Sequence, residues 1–277
     1  MKLDRAYVDY AFADALAVRA GRAKLPLSRG SLLSSNDVFL RDAATVDAID
    51  DLYVDDTQRN VQLRGTLSGG VLGWAAAVAE GWRRGEAIHG TAAAGFVEAS
   101  QPLLAGRIEL AVPGFAQPLE DTGPGSGRRI SFGWSFSTQR GIRYAGGAGE
   151  EDRTLASMDV TARLGPFSAV VEGDAWRIHS TVPEVGARSP FGGYAQLAWF
   201  VSGPRLEPKV RYDALQESAD PAAHQQTISL GVNWYPRRDG ARLALDLVHQ
   251  EFGAASKGRL DQASARDLVQ VGAEVSF

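Results

Sequence analysis

Charged side chains recur at every second position along several short runs of this chain. Glu207, Lys209, Arg211 and Asp213 alternate with Pro208, Val210 and Tyr212, and Arg107 stands two residues from Glu109, as Glu172 does from Asp174. A β-strand turns successive side chains to opposite faces, so each run sets guanidinium, ammonium and carboxylate groups on one face and apolar groups on the other. Fixed charges along a wet face perform no covalent step. They pair, hydrate, and decide which ions pass. The cationic members of such a wall are Arg5, Arg19, Arg64, Arg107, Arg129, Arg163, Lys209, Arg211 and Arg242. The anionic members are Asp9, Glu109, Asp159, Glu172, Asp174, Glu207, Asp213 and Asp246, which nearly balances them. A second concentration of charge lies in residues 24–59. There Lys24, Arg29, Arg41 and Arg59 face Asp37, Asp42, Asp47, Asp50, Asp51, Asp55 and Asp56, so the segment is net acidic. Those aspartates could hold a divalent ion or pair with wall arginines.

Reactive constellations are missing from the pattern. His89, His179, His224 and His249 are scattered, with no HxxxH or HExxH spacing, so neither a metal nor a cofactor is expected. Ser180 follows His179 directly, and on a strand their side chains diverge. The Gly/Pro runs at 123–127 and 145–149 imitate phosphate loops in composition, but neither lies between a strand and a helix. There is no cysteine, so disulfides and thiolate sites are excluded. The mild net charge of -4 gives no reason to expect nucleic acid.

The elements that must position these charges are strands. Thirteen segments alternate: 4–12, 15–23, 60–67, 72–79, 103–112, 128–137, 154–164, 167–177, 191–201, 205–214, 225–235, 241–252 and 266–277. Ile130, Phe132, Trp134 and Phe136 oppose Arg129, Ser131, Gly133 and Ser135, and Leu243, Leu245 and Leu247 oppose Arg242, Ala244 and Asp246. Runs of about ten residues match a tilted strand crossing a bilayer. Short turns, such as Gly165-Pro166 and Ser202-Gly203-Pro204, take turns with long connections at 24–59, 80–102, 138–153, 178–190, 215–224 and 253–265. The Gly/Pro-rich stretch 113–127 breaks the rule. A membrane barrel sorts its loops in this way, short turns inside and long loops outside. No stretch approaches 18 apolar residues, and a mean hydropathy of -0.16 fits strands that are half wet. Trp74, Trp134, Trp199 and Trp234 fall on apolar faces, as an interfacial girdle requires. Val271, Ala273, Val275 and Phe277 give the final strand one apolar face and an aromatic end, the pattern that barrel assembly machinery reads.

Two stretches carry a resemblance. Leu3-Asp4-Arg5-Ala6-Tyr7-Val8-Asp9-Tyr10, then Leu16 through Leu27 with its Arg22-Ala23-Lys24-Leu25-Pro26 core, is similar to the phosphate-selective porin O and P family. Arg59-Asn60-Val61-Gln62-Leu63-Arg64-Gly65 resembles the strand after that family's constriction loop, while Ser28-Arg29-Gly30 stands where the family often has an acidic residue. The resemblance implies a trimeric, sixteen-stranded channel. Strand parity and the position of the longest loop both then imply three strands, and a signal peptide, ahead of this chain.

The expectation is therefore all-β: a single antiparallel up-and-down transmembrane β-barrel over 1–277, with about 13 of 16 strands present and 24–59 as a pore-constricting loop. Its place is the bacterial outer membrane, and its partners are outer-membrane lipid, the barrel assembly machinery, small ions and solutes, and its own copies in a homotrimer. Its function is passive diffusion, weakly selective or cation-leaning. The alternatives are a phosphate- or anion-selective porin, a barrel enzyme or adhesin acting through outer loops, and a soluble β-sandwich. With thirteen strands alone, two edges would lie unpaired in lipid.

Overall fold

Strict alternation, frequent glycine and few helix-favouring runs give a chain that is nearly all strand. The computed structural model describes residues 5–32, 56–84, 96–115, 128–145, 149–181, 187–236, 241–256 and 264–275. The strands are β1 (Ala6–Ala13), β2 (Leu16–Lys24), β3 (Thr57–Leu67), β4 (Leu72–Ala79), β5 (Val97–Ala99), β6 (Leu103–Ala111), β7 (Arg128–Tyr144), β8 (Glu150–Leu164), β9 (Phe167–Ser180), β10 (Phe191–Trp199), β11 (Leu206–Gln216), β12 (His224–Trp234), β13 (Ala241–Phe252) and β14 (Ala265–Val275). One turn of helix, α1 (Arg29–Leu32), follows β2.

All strands belong to one antiparallel sheet in the order β1-β2-β3-β4-β6-β7-β8-β9-β10-β11-β12-β13-β14, with short β5 pairing to the far end of β7. Each hairpin neighbour in sequence is a neighbour in space, the up-and-down topology expected. A sandwich needs two sheets, so that alternative falls. Among the described residues β1 pairs only with β2, and β14 only with β13.

Burial along the strands is inverted relative to a soluble protein. Leu230 and Leu247 are 53% and 50% exposed, whereas Arg211 and Asp246 are 2% and 0% exposed. The polar face is inside and the apolar face outside, which is stable only where the outer medium is hydrocarbon. On β8 the outward row runs Ala156, Met158, Val160, Ala162 and Leu164, then turns polar at Thr154 and Asp152. At roughly 3.3 Å per residue and a tilt of ~45°, that row covers about 20 Å of depth, close to the apolar band of an outer-membrane barrel.

Eleven of the thirteen expected segments form strands within three residues of their expected ends. The other two, β7 and β8, overrun toward each other. The connection expected at 138–153 is mostly strand, because β7 runs to Tyr144 and β8 begins at Glu150. A register shift between Gln139 and Ile142, with Gly141 at φ 62, moves the inward row from odd to even positions and breaks the period that marks a strand. At the opposite edge Gly165, also at φ 62, makes the two-residue turn into β9.

The inner face is not polar throughout. At the long-loop end, Leu25, Leu27, Trp82, Val97, Leu103, Ile142, Tyr144, Leu155, Trp176 and Leu215 form a buried apolar cluster. It fastens the chain after β2, and the chain around Trp82 and β5, onto the inner surface of β7–β9.

Candidate pore lining and constriction

The chain leaves β2 at Lys24 and turns inward. Leu25 N–H donates to Asp56 O at 2.7 Å, closing the base of the connection, and Gln62 Nε2 donates to Lys24 O at 2.6 Å. Leu25 and Leu27 are fully buried in the apolar cluster. Ser28 then caps α1. Its Oγ accepts the Ser31 N–H at 3.0 Å, while Ser31 Oγ accepts the Ser28 N–H at 3.0 Å. This reciprocal pair is a serine version of the capping box, and it fixes a single turn of helix in the interior.

That turn presents Arg29 to the inner wall. The Arg29 guanidinium pairs with Glu109 on β6 and, through Nε at 3.2 Å, with Asp159 Oδ1 on β8. The backbone N–H groups of Arg29 and Gly30 both donate to the Glu172 carboxylate on β9, Gly30 at 3.1 Å to Oε2. Arg107 reaches Asp159 Oδ2 at 2.7 Å and Glu109 Oε2 at 3.0 Å, and its Nη1 donates to Ser135 Oγ at 2.9 Å. Arg129 pairs with the other oxygen of Glu109, and its Nε donates to Ser131 Oγ at 3.1 Å. Three arginines thus interlock with Glu109, Asp159 and Glu172, and every member is buried. Gly133 makes the space, since a Cβ there would overlap the Arg107 guanidinium and the Asp159 carboxylate. Buried charges of this kind hold position only while each keeps its partners.

The remaining wall residues follow the alternation. Arg19, Arg163, Lys209, Arg211 and Arg242 are buried on the inner face. Arg19 meets Asp9 at 2.7 Å, Lys209 lies 3.9 Å from Asp246, and Arg211 Nε lies 3.2 Å from Asp213. Arg64 is partly exposed and pairs with Asp9 at 2.9 Å, and Arg5 is exposed ahead of β1. Asp174 is buried beside them. Beyond the end of β12, the Tyr235 hydroxyl donates to Glu207 Oε2 at 2.6 Å, and burial together with that carboxylate holds the hydroxyl well above its ordinary pKa, so it stays a donor.

Of the loop charges, Lys24 pairs with Asp56 at 3.7 Å, and Arg59 turns outward to Glu80 at 3.4 Å. Asp37, Arg41, Asp42, Asp47, Asp50, Asp51 and Asp55 lie outside the described residues, as does Phe277. Val271 and Ala273 are exposed on the outward face of β14, whose backbone runs through Val275.

Several inward-facing residues escaped the sequence pattern. Glu151 and Arg153, paired at 2.8 Å and buried at the mouth, fall in the segment expected to be loop. Arg188, beyond β9, bridges back to Ile178, and burial lowers its pKa against the pull of Glu151. Trp82 and Trp176, unplaced by alternation, are core residues of the inner apolar cluster. Trp134, Trp199 and Trp234 are exposed on the outward face, and Phe167 stacks on Trp199 at 5.7 Å between centroids.

Comparison with known proteins bears on this arrangement. The sequence model of the family described as "Phosphate-selective porin O and P" matches residues 1–277. A protein of Aquifex aeolicus (strain VF5), described only as uncharacterized, is 27% identical over 257 residues. The match covers 84% of this chain but 59% of that protein, so the chain spans about three-fifths of its relative's length. Among solved structures, an anion-selective porin from Comamonas acidovorans superposes with a TM-score of 0.66 at 16% identity, covering 97% of this chain and 75% of that one. OmpT of Vibrio cholerae, folded in vitro, superposes at 0.59 with 10% identity over 97% of this chain and 87% of its own. A trimer form of OmpT gives 0.56 at 10% identity, over 95% and 77%. At these identities the solved structures speak for the fold.

Proposed function

Since this chain belongs to the phosphate-selective porin O and P family, whose place is the bacterial outer membrane, we propose that it forms the wall of a passive diffusion channel for small hydrophilic solutes and ions. The observation that carries this reading is the charged inner face, with α1 reaching across it to Glu109, Asp159 and Glu172. Residues 24–59 are then the constriction, narrowing a wet lumen from the long-loop side. No covalent step belongs to this mechanism; selectivity comes from fixed charge and width. Val271, Ala273, Val275 and Phe277 form the signal for the assembly machinery, outer-membrane lipid covers the apolar face, and the working unit is a homotrimer, as the trimer form of OmpT favours.

The wall's cations and anions are close to equal in number and interlocked, which supports weak selectivity. A cation lean finds no support. It rests on seven aspartates, of which Asp56 alone is described, and Asp56 is paired with Lys24. A second reading, preference for anions or phosphate, is favoured by the family's description and by one placement: Arg29 is the charged residue that the described inward segment 25–32 brings to the wall.

Protein purified from its native outer membrane and reconstituted into liposomes tests the channel reading. Iso-osmotic solutions of small uncharged sugars will swell the vesicles at rates that fall steeply with solute size. Folded protein that leaves the vesicles as tight as protein-free ones would move the reading to an adhesin or enzyme acting through the loops.

A further inference from the structure

The inner wall carries amides as well as charges, and near the long-loop end those amides bind backbone. Asn60 Nδ2 donates to Ala23 O at 2.8 Å and Gln62 Nε2 to Lys24 O at 2.6 Å, which fastens the chain where the constriction begins. Gln58 Oε1 accepts the Gly81 N–H at 2.8 Å. Gln139, buried on β7, does more. Its Oε1 accepts the Trp82 N–H at 3.0 Å, and its Nε2 donates to Trp82 O at 3.2 Å and to Gln101 O at 3.0 Å. Two residues facing each other in an antiparallel ladder exchange the same pair of N–H···O bonds. The Gln139 amide therefore stands in for a strand, at the point where the register between β7 and β8 shifts.

The backbone it holds is shaped for this contact. Gly81 has φ 61 and lies against the Gln139 amide, where a Cβ would meet Nε2 at 2.3 Å. On one side the Glu80 N–H donates to Arg59 O at 3.2 Å, and on the other the Gln101 N–H donates to Arg140 O at 3.0 Å. Strand β5 pairs with Arg143 and Tyr144 of β7. Residues 80–82 and 97–101 are thus tied to the wall at both ends. They carry Trp82 and Val97 into the buried cluster that also holds Leu25 and Leu27. The Arg153 guanidinium lies 5.8 Å from the Trp82 ring centroid, within reach of cation–π attraction. The constriction segment therefore packs with this second stretch of inward chain as well as with the barrel wall.

We infer that residues 80–82 and 97–101 form a second inward strap, which together with 25–32 sets the width of the long-loop end, and that Gln139 is its positioning residue. The width rests on the channel reading; the hold of Gln139 on the strap does not. Gln139→Leu keeps the volume and removes three hydrogen bonds, each worth about a factor of five, so the lifted strap gains on the order of a hundred-fold. Gly81→Ala drives the same strap off the amide from the other side, through steric overlap and a strained positive φ.

The chain has no cysteine, so Val97→Cys places a single thiol in the buried cluster. Protein carrying it is purified from its native outer membrane, and two quantities are read: the labelling rate with a membrane-impermeant maleimide, and the largest uncharged oligosaccharide that enters liposomes. Alone, Val97→Cys will label slowly. Adding Gln139→Leu or Gly81→Ala will raise the rate on the order of a hundred-fold, and both will admit larger oligosaccharides. Gly81→Ala leaves every strand residue in place, so it keeps the test open if Gln139→Leu fails to assemble. Protection of Val97→Cys that survives both changes overturns the role of Gln139. Lost protection with an unchanged size limit overturns the strap as a border of the path, and leaves Gln139 a packing residue. Vesicles that admit no sugar even with the parent protein sink the channel reading and the width with it, while the labelling rates still decide whether Gln139 holds the strap.

Discussion

Replacing Glu172 with glutamine will loosen α1 from the inner wall and widen the conducting path. Glu172 receives the backbone N–H groups of both Arg29 and Gly30. Both reach Oε2, so a carboxamide oxygen there still accepts them, but as a neutral acceptor without the carboxylate's charge. Hydrogen bonds to a charged acceptor are worth about 1 kcal/mol more than neutral ones, so the docked segment loses about 2 kcal/mol, roughly thirty-fold in its equilibrium. Single-channel recordings will show higher mean conductance with rapid closures. Loss of one wall carboxylate also leaves Arg29, Arg107 and Arg129 in excess and shifts the reversal potential toward anions. Conductance and noise identical to the parent protein would mean that residues 25–32 do not border the path.

Trp176→Ala is the second large effect, and it reads the apolar mouth. Trp176 is 2% exposed in the cluster with Leu25 and Leu27. Deleting a buried indole costs about 3–5 kcal/mol through lost packing and the cavity left behind. Outward Trp134 is 39% exposed, and in place it exchanges protein for hydrocarbon contacts, with little hydrophobic gain to lose. Thermal unfolding in detergent will therefore show a clear fall in Tm for Trp176→Ala and a small one for Trp134→Ala. Equal shifts would mean that the inner cluster holds nothing.

The contrast between those two tryptophans shows what alternation can and cannot reveal. Period-two patterning set the strands, their faces and the sorting of their connections, because a membrane sheet repeats one local rule along every strand. It placed Arg107, Glu109, Arg129 and Asp159 on one face. It could not show that they interlock, since that depends on neighbours in register: Glu109 with Gly133, and Gly133 with Asp159. The missing side chain at Gly133 was the one visible hint. The bulge at Gln139–Ile142 hides the mouth, so Glu151 and Arg153 fall where alternation points to a loop. Inward folding of 25–32 was legible only in part. Ser28 and Ser31 at capping distance announce a helical turn, but its docking on Glu172 comes from contacts about 140 residues away. The inner apolar core was invisible for a plainer reason: Leu25, Leu27 and Trp82 lie outside any strand and have no period.

The proposed channel is water-filled and lined by opposed, balanced charges. Ion conductance and reversal potential across a planar bilayer, with protein from its native outer membrane under a tenfold potassium chloride gradient, test it most directly. A balanced wall gives stable conductance steps with a reversal potential near zero. A reversal potential close to the chloride limit, with conductance blocked by millimolar phosphate, would contradict the balanced wall and make Arg29 and its neighbours an anion filter.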